Sequence, residues 1–482
     1  MAGTFQGKVL VLGGGSVSQC SVPLFIKHIV ANPHQITILD FQDTKSKFTD
    51  ALSAGVNFVI DKVTKENLET KLSEFVSEGD VLVDLAWNID ANAIINWCHT
   101  NKVLYMNTSV EEWDPYDSQD DRDPRDRTLL VRHQRLDAMK ARWSEIGPTA
   151  VVEHGANPGL VSHFVKRGLL EIASECIAKN LLDAETSLKV QQAQTEEDFP
   201  TLAHLLGVKV IHISERDTQV TDKPKVPGEF VNTWSVAGLH EEGIAPAEMG
   251  WGTHELKLPN RAYTHETSET QICLAQPGAT TWVKSWVPDY EINGMVVRHG
   301  EAYTIAKHLT VKDESGKEIY RPTVHYAYCP SDAAIASLRE LQANNWEFPS
   351  RERIMNDEII DGEDRLGVLL MGHPLKSWWV GSLLSIHEAR ALVPHQSATT
   401  LQVAVSVMAS VQWMIDNPNE GLCVPDDLPW KTILELAYPY LGTIYSASVD
   451  WTPLKNNANL FGKWAGEEKS ADPWQFENFL VD

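Results

Sequence analysis

The sequence predicts an α/β protein with a doubly wound parallel sheet, followed by a second α+β domain whose sheet is mixed or antiparallel. Two patterns predict this architecture. Short apolar runs alternate with helical patterns through the first 150 residues, which is typical of parallel strands joined by crossover helices. From Lys189 to Tyr328, by contrast, many β-like runs follow one another along the chain. A chain of 482 residues is long enough for two or three domains.

The first strand leads directly into a glycine-rich turn. Lys8–Leu12 is a compact apolar run, Gly13-Gly14-Gly15-Ser16-Val17-Ser18 follows it, and a helical pattern continues to Ile29. In Rossmann domains such a turn brings the backbone close to a pyrophosphate at the N-terminus of the helix. Ser18 stands where a third glycine is usual, but serine is small enough for helix–strand packing. The turn residues that we predict to contact a dinucleotide are Gly13, Gly15, Ser16 and Val17.

A second strand places an acid where the ribose of a dinucleotide would lie. This strand is Gln35–Leu39, and Asp40 follows it, 25 residues after Gly15. A carboxylate in this position accepts a hydrogen bond from the ribose 2′-OH and repels the 2′-phosphate of NADP. The sequence therefore predicts NAD as the cofactor.

Three further strands extend the predicted parallel sheet. They are Val56–Ile60, Val81–Ala86 and Val103–Met106, with helices predicted at Lys65–Val76 and Ile89–His99. Ligands of such sheets bind at the carboxyl ends of the strands. We therefore expect the loops after the last two strands to lie beside the nicotinamide half of the cofactor. The loop residues predicted to contact it are Ala86, Trp87, Asn88, Thr108 and Ser109.

The remaining segments give a more varied pattern. The charged stretch Asp114–Arg127 indicates a solvated loop, and the tail from Asp450 to Asp482 has no clear periodicity. The predicted helices are Leu129–Trp143, His163–Ile172, Ser331–Gln342, Pro394–Asp416 and Asp426–Leu441. The predicted strands are Thr149–Val152, Val208–Ile213, Gln271–Leu274, Thr281–Val287, Met295–Val297 and Ala302–Leu309.

Composition excludes several classes of partner. The net charge of -25 repels the phosphates of nucleic acids and anionic membranes, and it attracts cations. The six cysteines are scattered without a Cys-x-x-Cys pair, which favours reduced thiols in the cytoplasm. There is no leader-like N-terminus and no apolar run of the ~18 residues that a membrane helix needs. The spacing of His373, His387 and His395 matches no metal site.

A set of motifs beyond residue 150 identifies a family. The loop Gly155-Ala156-Asn157-Pro158-Gly159 is similar to one in saccharopine dehydrogenase-like reductases, where it enters the substrate cleft. Together with the motifs that follow it, the chain closely resembles bacterial, NAD-dependent homospermidine synthases from about residue 8 to about residue 450. The two longest of these motifs are Ser214-Glu215-Arg216-Asp217-Thr218-Gln219 and Gly250-Trp251-Gly252-Thr253-His254-Glu255. Shorter ones are Asn232-Thr233-Trp234-Ser235, Glu241-Glu242-Gly243 and Val297-Arg298-His299-Gly300.

The resemblance implies a reaction and a domain organisation. This family joins two putrescines, or putrescine and spermidine, into homospermidine and releases ammonia or a diamine. NAD is reduced and reoxidised within one turnover, and the enzymes are typically homodimers. The domains expected for this chain are an NAD-binding domain at 1–150 and a substrate domain at 151–375. A C-terminal helical segment at 376–482 is expected to return to the Rossmann domain.

The resemblance also implies roles for five residues. Trp234 is expected to hold a substrate ammonium by a cation–π contact, and Glu215 and Glu242 are expected to bind and deprotonate amines. Asn157 is expected to bond either the reacting nitrogen or the nicotinamide amide. His299 is expected either to relay protons or to support the residues that contact the substrate. Each residue has a purely structural alternative. Trp234 and His299 could be packed in the core, and Glu242 could be a surface acid. Asn157 could cap the helix at His163 or shape the turn before Pro158, and Glu215 could pair with Arg216 or another cation.

Two other functions fit part of the sequence. A saccharopine- or carboxynorspermidine-type reductase would act on a carboxylate-bearing substrate and would need an Arg or Lys anchor. Residues 230–255 contain acids and tryptophans but no Arg or Lys, which favours a diamine. A non-catalytic NAD-binding sensor would keep the glycine turn and Asp40 but would need no cluster of acids.

Overall fold

Two large sheets organise the computed structural model, which describes residues 3–114, 122–266, 268–455 and 470–481. Residues 115–121 of the predicted solvated loop and residues 456–469 of the unassigned tail lie outside the described residues. The first domain contains β1 (Val9–Leu12), α1 (Ser16–His28), β2 (Ile36–Asp40), α2 (Thr49–Ala54), β3 (Asn57–Ile60), α3 (Leu68–Phe75), β4 (Val81–Asp84), α4 (Ala91–Asn101), β5 (Leu104–Asn107), α5 (Leu129–Lys140) and β6 (Ala150–Val151).

The second part of the chain has more strands than helices. As far as Met295 its elements are α6 (Leu160–Ala178), α7 (Ala184–Glu196), α8 (Phe199–Leu206), β7 (Val210–Asp217), β8 (Val220–Thr221), β9 (Glu229–Asn232), α9 (Val236–Ile244), β10 (Pro246–Gly250), β11 (Ala262–His265), β12 (Ser268–Pro277), β13 (Trp282–Val287) and β14 (Tyr290–Met295). The next elements are α10 (Glu301–His308), β15 (Val311–Lys312), β16 (Glu318–Tyr320), β17 (Thr323–Cys329), α11 (Asp332–Ala343), β18 (Arg351–Ile354), β19 (Ile359–Asp361), β20 (Glu363–Met371) and β21 (Ser377–Ser385). The last are α12 (Ile386–Leu392), α13 (Ala398–Asp416), β22 (Leu422–Cys423), α14 (Trp430–Ala437), β23 (Thr443–Val449) and α15 (Phe476–Phe479).

The smaller sheet is the predicted doubly wound sheet. Its seven strands run in the order β22-β6-β5-β4-β1-β2-β3, and all of its pairs are parallel. The four residues of β1 are all buried, as expected when helices cover both faces of a parallel sheet. The order changes direction at β1, so the carboxyl ends of β1 and β4 border a crevice that can receive a dinucleotide. The predicted Rossmann fold is confirmed.

The larger sheet has ten strands and is mixed. Its main path is β11-β12-β10-β17-β7-β20-β21-β23, and the hairpin of β13 and β14 joins it through β17. β7 pairs in parallel with β17 but antiparallel with β20. This confirms the predicted mixed or antiparallel sheet of the second domain.

The C-terminal part of the chain connects the two sheets. α13 packs against α1 and β5 of the first domain and against β20 of the second. The expectation that no segment is long and apolar enough for a membrane helix is wrong for α13, which meets both conditions. However, 83% of its most apolar 18 residues are buried inside the protein. Residues 376–482, predicted as a helical segment, also contribute β21 and β23 to the larger sheet and β22 to the smaller one.

Two predicted strands differ from the structure. Of the predicted strand Met295–Val297, only Met295 lies in a strand, at the end of β14. Ala302–Leu309 was expected to be β, but the structure has α10 over Glu301–His308. The buried residues of this segment recur with the spacing of one helical face, since Ala302, Ile305, Ala306 and Leu309 are all in the core. A short apolar run of this kind is ambiguous between helix and strand in the sequence, and the structure shows that it is a helix.

Candidate active site

A cavity of about 190 Å³ lies between the carboxyl ends of the parallel strands and the second sheet. Elements of both domains line it, which is the usual position for a ligand site in this architecture. Many residues predicted from the sequence meet here. Those among its lining residues are Val17, Ala86, Trp87, Thr108, Ser109, Asn157, Glu215, Trp234, Glu242 and His299.

The glycine turn at one end of this cavity fits a pyrophosphate. Gly13 has φ +88°, and a Cβ there would lie 2.7 Å from the Leu85 carbonyl oxygen, so another residue would be strained. A Cβ at Gly15 would meet no atom within 4 Å, so the backbone there borders open space. Among the described residues no side chain caps the start of α1 at Ser16, and its N–H groups are thus free to bind phosphate. Ser18 is buried, and its hydroxyl donates to the Gly13 carbonyl, which ties helix to turn.

Asp40 lies beside this turn at the end of β2. Its Oδ2 accepts a hydrogen bond from the Gly14 amide at 2.5 Å, and its Oδ1 accepts one from the Gln42 amide at 2.7 Å. The carboxylate is therefore held next to the segment expected to carry the pyrophosphate. The predicted cofactor residues that do not line the cavity are Gly13, Gly15, Ser16, Asp40 and Asn88. The side-chain oxygen of Asn88 accepts from the Asp114 amide at 2.5 Å. Of its loop, Ala86 and Trp87 reach the cavity.

Asn157 projects from the loop that precedes α6. Its amide nitrogen donates to Glu215 Oε2 at 2.7 Å and to the Tyr326 hydroxyl at 2.5 Å. The loop closes on Gly159, where φ is +134° and a Cβ would lie 1.8 Å from the Gly155 carbonyl oxygen. Only glycine therefore permits the close approach that places Asn157 in the cavity.

Glu215 occupies the inner wall of the cavity. It is buried on β7, and the Tyr326 hydroxyl donates to its Oε2. Burial raises the pKa of Glu215 to about 7, although the hydrogen bonds from Tyr326 and Asn157 act in the opposite direction. Arg216 points elsewhere, to Asp332 and the Pro330 carbonyl. The possible pairing of Glu215 with Arg216 is thus not found.

Two further carboxyls lie behind Glu215. Asp217 and Asp364 are fully buried and face each other across β7 and β20. Burial raises the pKa of both, and the neighbouring Glu215 and Asp217 carboxylates raise that of Asp364 further. The inner end of the cavity therefore adjoins a group of three acids that a cation would stabilise.

An aromatic wall faces these acids. The indole N–H of Trp234 donates to the Tyr328 hydroxyl at 2.9 Å, which fixes the orientation of the indole. Tyr328 stacks on Tyr326 with 5.0 Å between the ring centroids. The side chain of Trp234 packs against the main hydrophobic core on one side and lines the cavity on the other, so it belongs to both the core and the site.

A chain of acid, imidazole and acid closes the other side. His299 Nε2 lies 3.1 Å from Glu242 Oε2, and His299 Nδ1 lies 3.1 Å from Glu301 Oε1. Burial disfavours the charge of His299, but the two carboxylates outweigh it and raise the pKa of His299 well above its ordinary value. The two carboxylates therefore favour the protonated imidazole, which can donate a proton to either of them.

Several lining residues were missed by the sequence analysis. Tyr326 lines the cavity, and Tyr328 lies behind the indole of Trp234 on the same face of β17. Alternating tyrosines also occur in ordinary buried strands. Glu111 is nine-tenths buried, and its Oε2 has no partner among the described residues. Burial and the nearby Glu241 raise the pKa of Glu111 to about 7, against the effect of Arg132.

Two arginines also line the cavity, but both are already paired. Arg132 and Arg298 each donate to Glu241 Oε1, the first at 2.7 Å. Arg132 donates in addition to the Val110 carbonyl and Arg298 to the Arg127 carbonyl. Their side chains are more than nine-tenths buried, so breaking either pair would leave an uncompensated charge. Neither guanidinium is well placed to be the free anchor that a carboxylate substrate requires.

Comparison with known proteins agrees with this architecture over the whole chain. The saccharopine dehydrogenase NADP binding domain model matches residues 9–151, and the saccharopine dehydrogenase C-terminal domain model matches residues 155–448. The homospermidine synthase of Blastochloris viridis is 39% identical over 99% of this chain and 98% of its own length. That of Mesorhizobium japonicum is 38% identical over 99% and 97%.

A solved structure gives the same result. The homospermidine synthase of Legionella pneumophila, crystallised in complex with NAD, superposes with a TM-score of 0.87 at 38% identity. The match covers 99% of this chain and 98% of the Legionella chain. Because curated homospermidine synthases are 38–39% identical to it over nearly their full length and one of known structure shares its fold, this chain belongs to the homospermidine synthase family.

Proposed function

We propose that this protein is a homospermidine synthase that transfers an aminobutyl group from putrescine to a second putrescine. Spermidine can take the place of either the donor or the acceptor. The products are homospermidine and ammonia or a diamine. The observation that carries this proposal is the composition of one cavity. Carboxyls and an indole line its walls beside a dinucleotide turn, and its two arginines are occupied by Glu241.

The acids suit a substrate with a positive charge at each end. A diamine is doubly protonated at neutral pH, because aliphatic amines have pKa values near ~10.4. Glu215, backed by Asp217 and Asp364, can hold one ammonium at the inner end. Glu242 and Glu111 can hold the other toward the outer side. We expect the negative charges of these carboxylates to be stabilised when the substrate ammonium groups bind.

Proton transfer is the second requirement of this reaction, because only a neutral amine can act as a nucleophile or lose hydrogen from its carbon. Glu215, with a pKa of about 7, is near the value at which a carboxylate exchanges protons most effectively at neutral pH. In its neutral form with the proton on Nδ1, His299 can take a proton from Glu242 at Nε2 while Nδ1 gives its own proton to Glu301. The chain itself thus offers a base at each end of the cavity.

Trp234 suits the charged intermediates of the transfer. An indole face attracts an ammonium or iminium ion by about 0.5–2 kcal/mol. Because Tyr328 fixes the indole, this attraction needs little reorganisation when charge develops. NAD, when bound, supplies the redox step by accepting hydrogen with its electron pair from the amine-bearing carbon and returning it to the new imine.

Localisation and assembly are part of the same proposal. The described cysteines are free thiols, and five of the six are buried, which supports a reducing, cytoplasmic location. A homodimer is proposed from the family resemblance, and light scattering on the purified protein tests it.

One assay tests the proposed reaction. Purified protein is incubated with putrescine and a catalytic amount of NAD, and the polyamines and NADH are measured. We expect homospermidine and ammonia in equal amounts without net NADH. Stoichiometric NADH, or NADH consumption with an α-amino acid, would instead indicate the reductase. Retained NAD binding without turnover would indicate a sensor.

A further inference from the structure

A second cavity of about 280 Å³ lies on the far side of one wall of the active-site cavity. That wall is the buried pair of His133 and Glu153, whose atoms Nε2 and Oε2 are 2.7 Å apart. Glu153 lines the first cavity and His133 lines the second. α5, α10 and the segment after β22 surround this second space, and none of its residues has a part in the proposed reaction.

Three polar atoms around this cavity lack a hydrogen-bond partner among the described residues. They are Thr304 Oγ1, His308 Nε2 and Asp426 Oδ2. Thr304 and Asp426 are each only 4% exposed, so bulk water does not readily satisfy them and leaving them unpaired is costly. Thr304 and His308 are four residues apart on α10 and share a face. Asp426 is close enough to His308 for its charge to affect the imidazole.

All three atoms can act as acceptors. The carboxylate oxygen of Asp426 accepts only, and the hydroxyl of Thr304 can accept. Burial lowers the pKa of His308, against the pull of Asp426, so the imidazole is neutral and its Nε2 accepts when the proton sits on Nδ1. Three acceptors in the lining of one cavity equal in number the three N–H donors of a primary ammonium group.

Two of the basic residues around the cavity have a carboxylate partner that offsets their charge, and the other two donate to backbone carbonyls. Lys307 pairs with Asp137 at 3.2 Å, Lys140 donates to the Leu422 carbonyl at 3.0 Å, and His133 pairs with Glu153. Outside the cavity, Lys166 donates to the backbone carbonyls of Asp426 and Leu428. The carboxylates of Asp426 and Asp427 remain on the lining.

We propose that this second cavity is a binding site for a primary ammonium group, held by Thr304, His308 and Asp426. Two sources have this chemistry, the ammonium ion and one end of an alkyl diamine. The cavity is large enough for either, and a diamine could reach out toward Asp137 at the rim, whose side chain is 56% exposed. The site is separate from the cavity in which the amines are proposed to react.

Calorimetry on the NAD-loaded full-length protein tests this site. Methylammonium is titrated in the presence of saturating tetramethylammonium, which can occupy the indole of Trp234 but has no N–H donors for the second cavity. We expect methylammonium to bind under these conditions. Asp426→Asn and Thr304→Val should each weaken this binding about 10- to 100-fold, the effect of losing a hydrogen bond to a charged group.

The controls separate this site from general effects. Thr310→Val makes the same substitution just beyond α10, where the hydroxyl donates to the Ala306 carbonyl, and it should leave binding unchanged. Equal affinity for ammonium and methylammonium would indicate the free ion as the ligand, whereas tighter binding of putrescine would indicate the diamine. Three results would overturn the proposal. They are an affinity for potassium equal to that for methylammonium, an absence of methylammonium binding, and unchanged methylammonium binding in both folded variants.

Discussion

Nε2 of His299 lies 3.1 Å from Oε2 of Glu242, and this contact joins a buried imidazole to a half-buried carboxylate at the cavity. The side chain of Glu242 is 23% exposed whereas that of His299 is 6% exposed, so Glu242 is the member of the pair that a substrate reaches first. A proton taken up by Glu242 therefore has a direct route into the protein. Glu301, fully buried on the other side of the ring, ends that route.

Glu242→Gln should remove most of the product. The amide keeps the shape of the side chain but loses the charge and the basicity, so it can neither bind an ammonium by charge nor exchange its proton. We expect kcat for homospermidine formation to fall about 10²- to 10⁴-fold, the usual contribution of a general acid–base group. NAD binding should be kept, because the glycine turn is on another element.

A surface substitution of the same kind is the control. Glu185→Gln changes an exposed helical glutamate that pairs with Lys189 and should leave kcat unchanged. Product analysis by chromatography and NAD titration by fluorescence measure both effects. Normal turnover by Glu242→Gln would remove this residue from the mechanism.

Trp234→Leu should lower kcat/KM for putrescine. The substitution keeps an apolar side chain but removes the aromatic face, and a cation–π contact of about 0.5–2 kcal/mol corresponds to about a 2- to 30-fold loss. Trp234→Phe keeps a ring and should lose less. Initial rates with putrescine and catalytic NAD measure the series.

Tyr328→Phe separates the orientation of the indole from its presence. It removes the hydroxyl that accepts from the Trp234 N–H but leaves both rings. A smaller loss than that of Trp234→Leu is expected. If Trp234→Leu and Trp234→Phe both retain the native kcat/KM, the indole is a packing residue.

The sequence could predict which residues meet at the site but not how they are connected. Asn157, Glu215, Trp234, Glu242 and His299 lie on separate elements, and the family motifs identified them without any three-dimensional information. Their hydrogen-bond partners were less visible. Tyr326 and Glu301 resemble ordinary buried residues of a strand and a helix, because burial in a core and burial behind a site give the same local pattern.

The fold was predictable to a similar degree. Alternating strands and helices with a glycine turn are a local signal, and they sufficed for the parallel sheet. The ten-stranded sheet combines strands that are far apart in the sequence, such as β7 with β17 and β20, and no local pattern encodes that pairing. The segment of α10 shows the same limit, since eight residues carry too few repeats to separate helical from strand spacing without their neighbours.

The acid limb of the pH profile should depend on Glu215. Its pKa is raised to about 7 by burial, so the base form that accepts a proton is lost as the pH falls through about 7. The hydrogen bond from Tyr326 favours the charged carboxylate and lowers this pKa. Tyr326→Phe should therefore move the acid limb of kcat/KM upward, by about one pH unit or more for a bond to a charged group.

A second tyrosine provides the control for this shift. Tyr320 is also buried, and its hydroxyl donates to the Val208 carbonyl at 2.7 Å. Tyr320→Phe therefore removes a buried hydroxyl of the second domain without touching Glu215, and its profile should match the native one. An acid limb that stays in place, or moves to lower pH, in Tyr326→Phe would show that Glu215 does not set it.

Asp40→Asn should weaken NAD binding and reduce the discrimination against NADP. The carboxylate of Asp40 is proposed to accept a hydrogen bond from the ribose 2′-OH of NAD and to repel the 2′-phosphate of NADP. The neutral amide of asparagine is a weaker acceptor and does not repel the phosphate by charge. Loss of a hydrogen bond to a charged group corresponds to about 10- to 100-fold in the dissociation constant of NAD. Binding of NADP should change less or improve, since the repulsion is removed. Asp43→Asn, which alters an exposed acid nearby that accepts from the Lys45 amide, should leave both constants as they are. An unchanged ratio of NAD to NADP affinity in Asp40→Asn would mean that the hydrogen bond from Gly14 to Asp40 serves only to shape the turn.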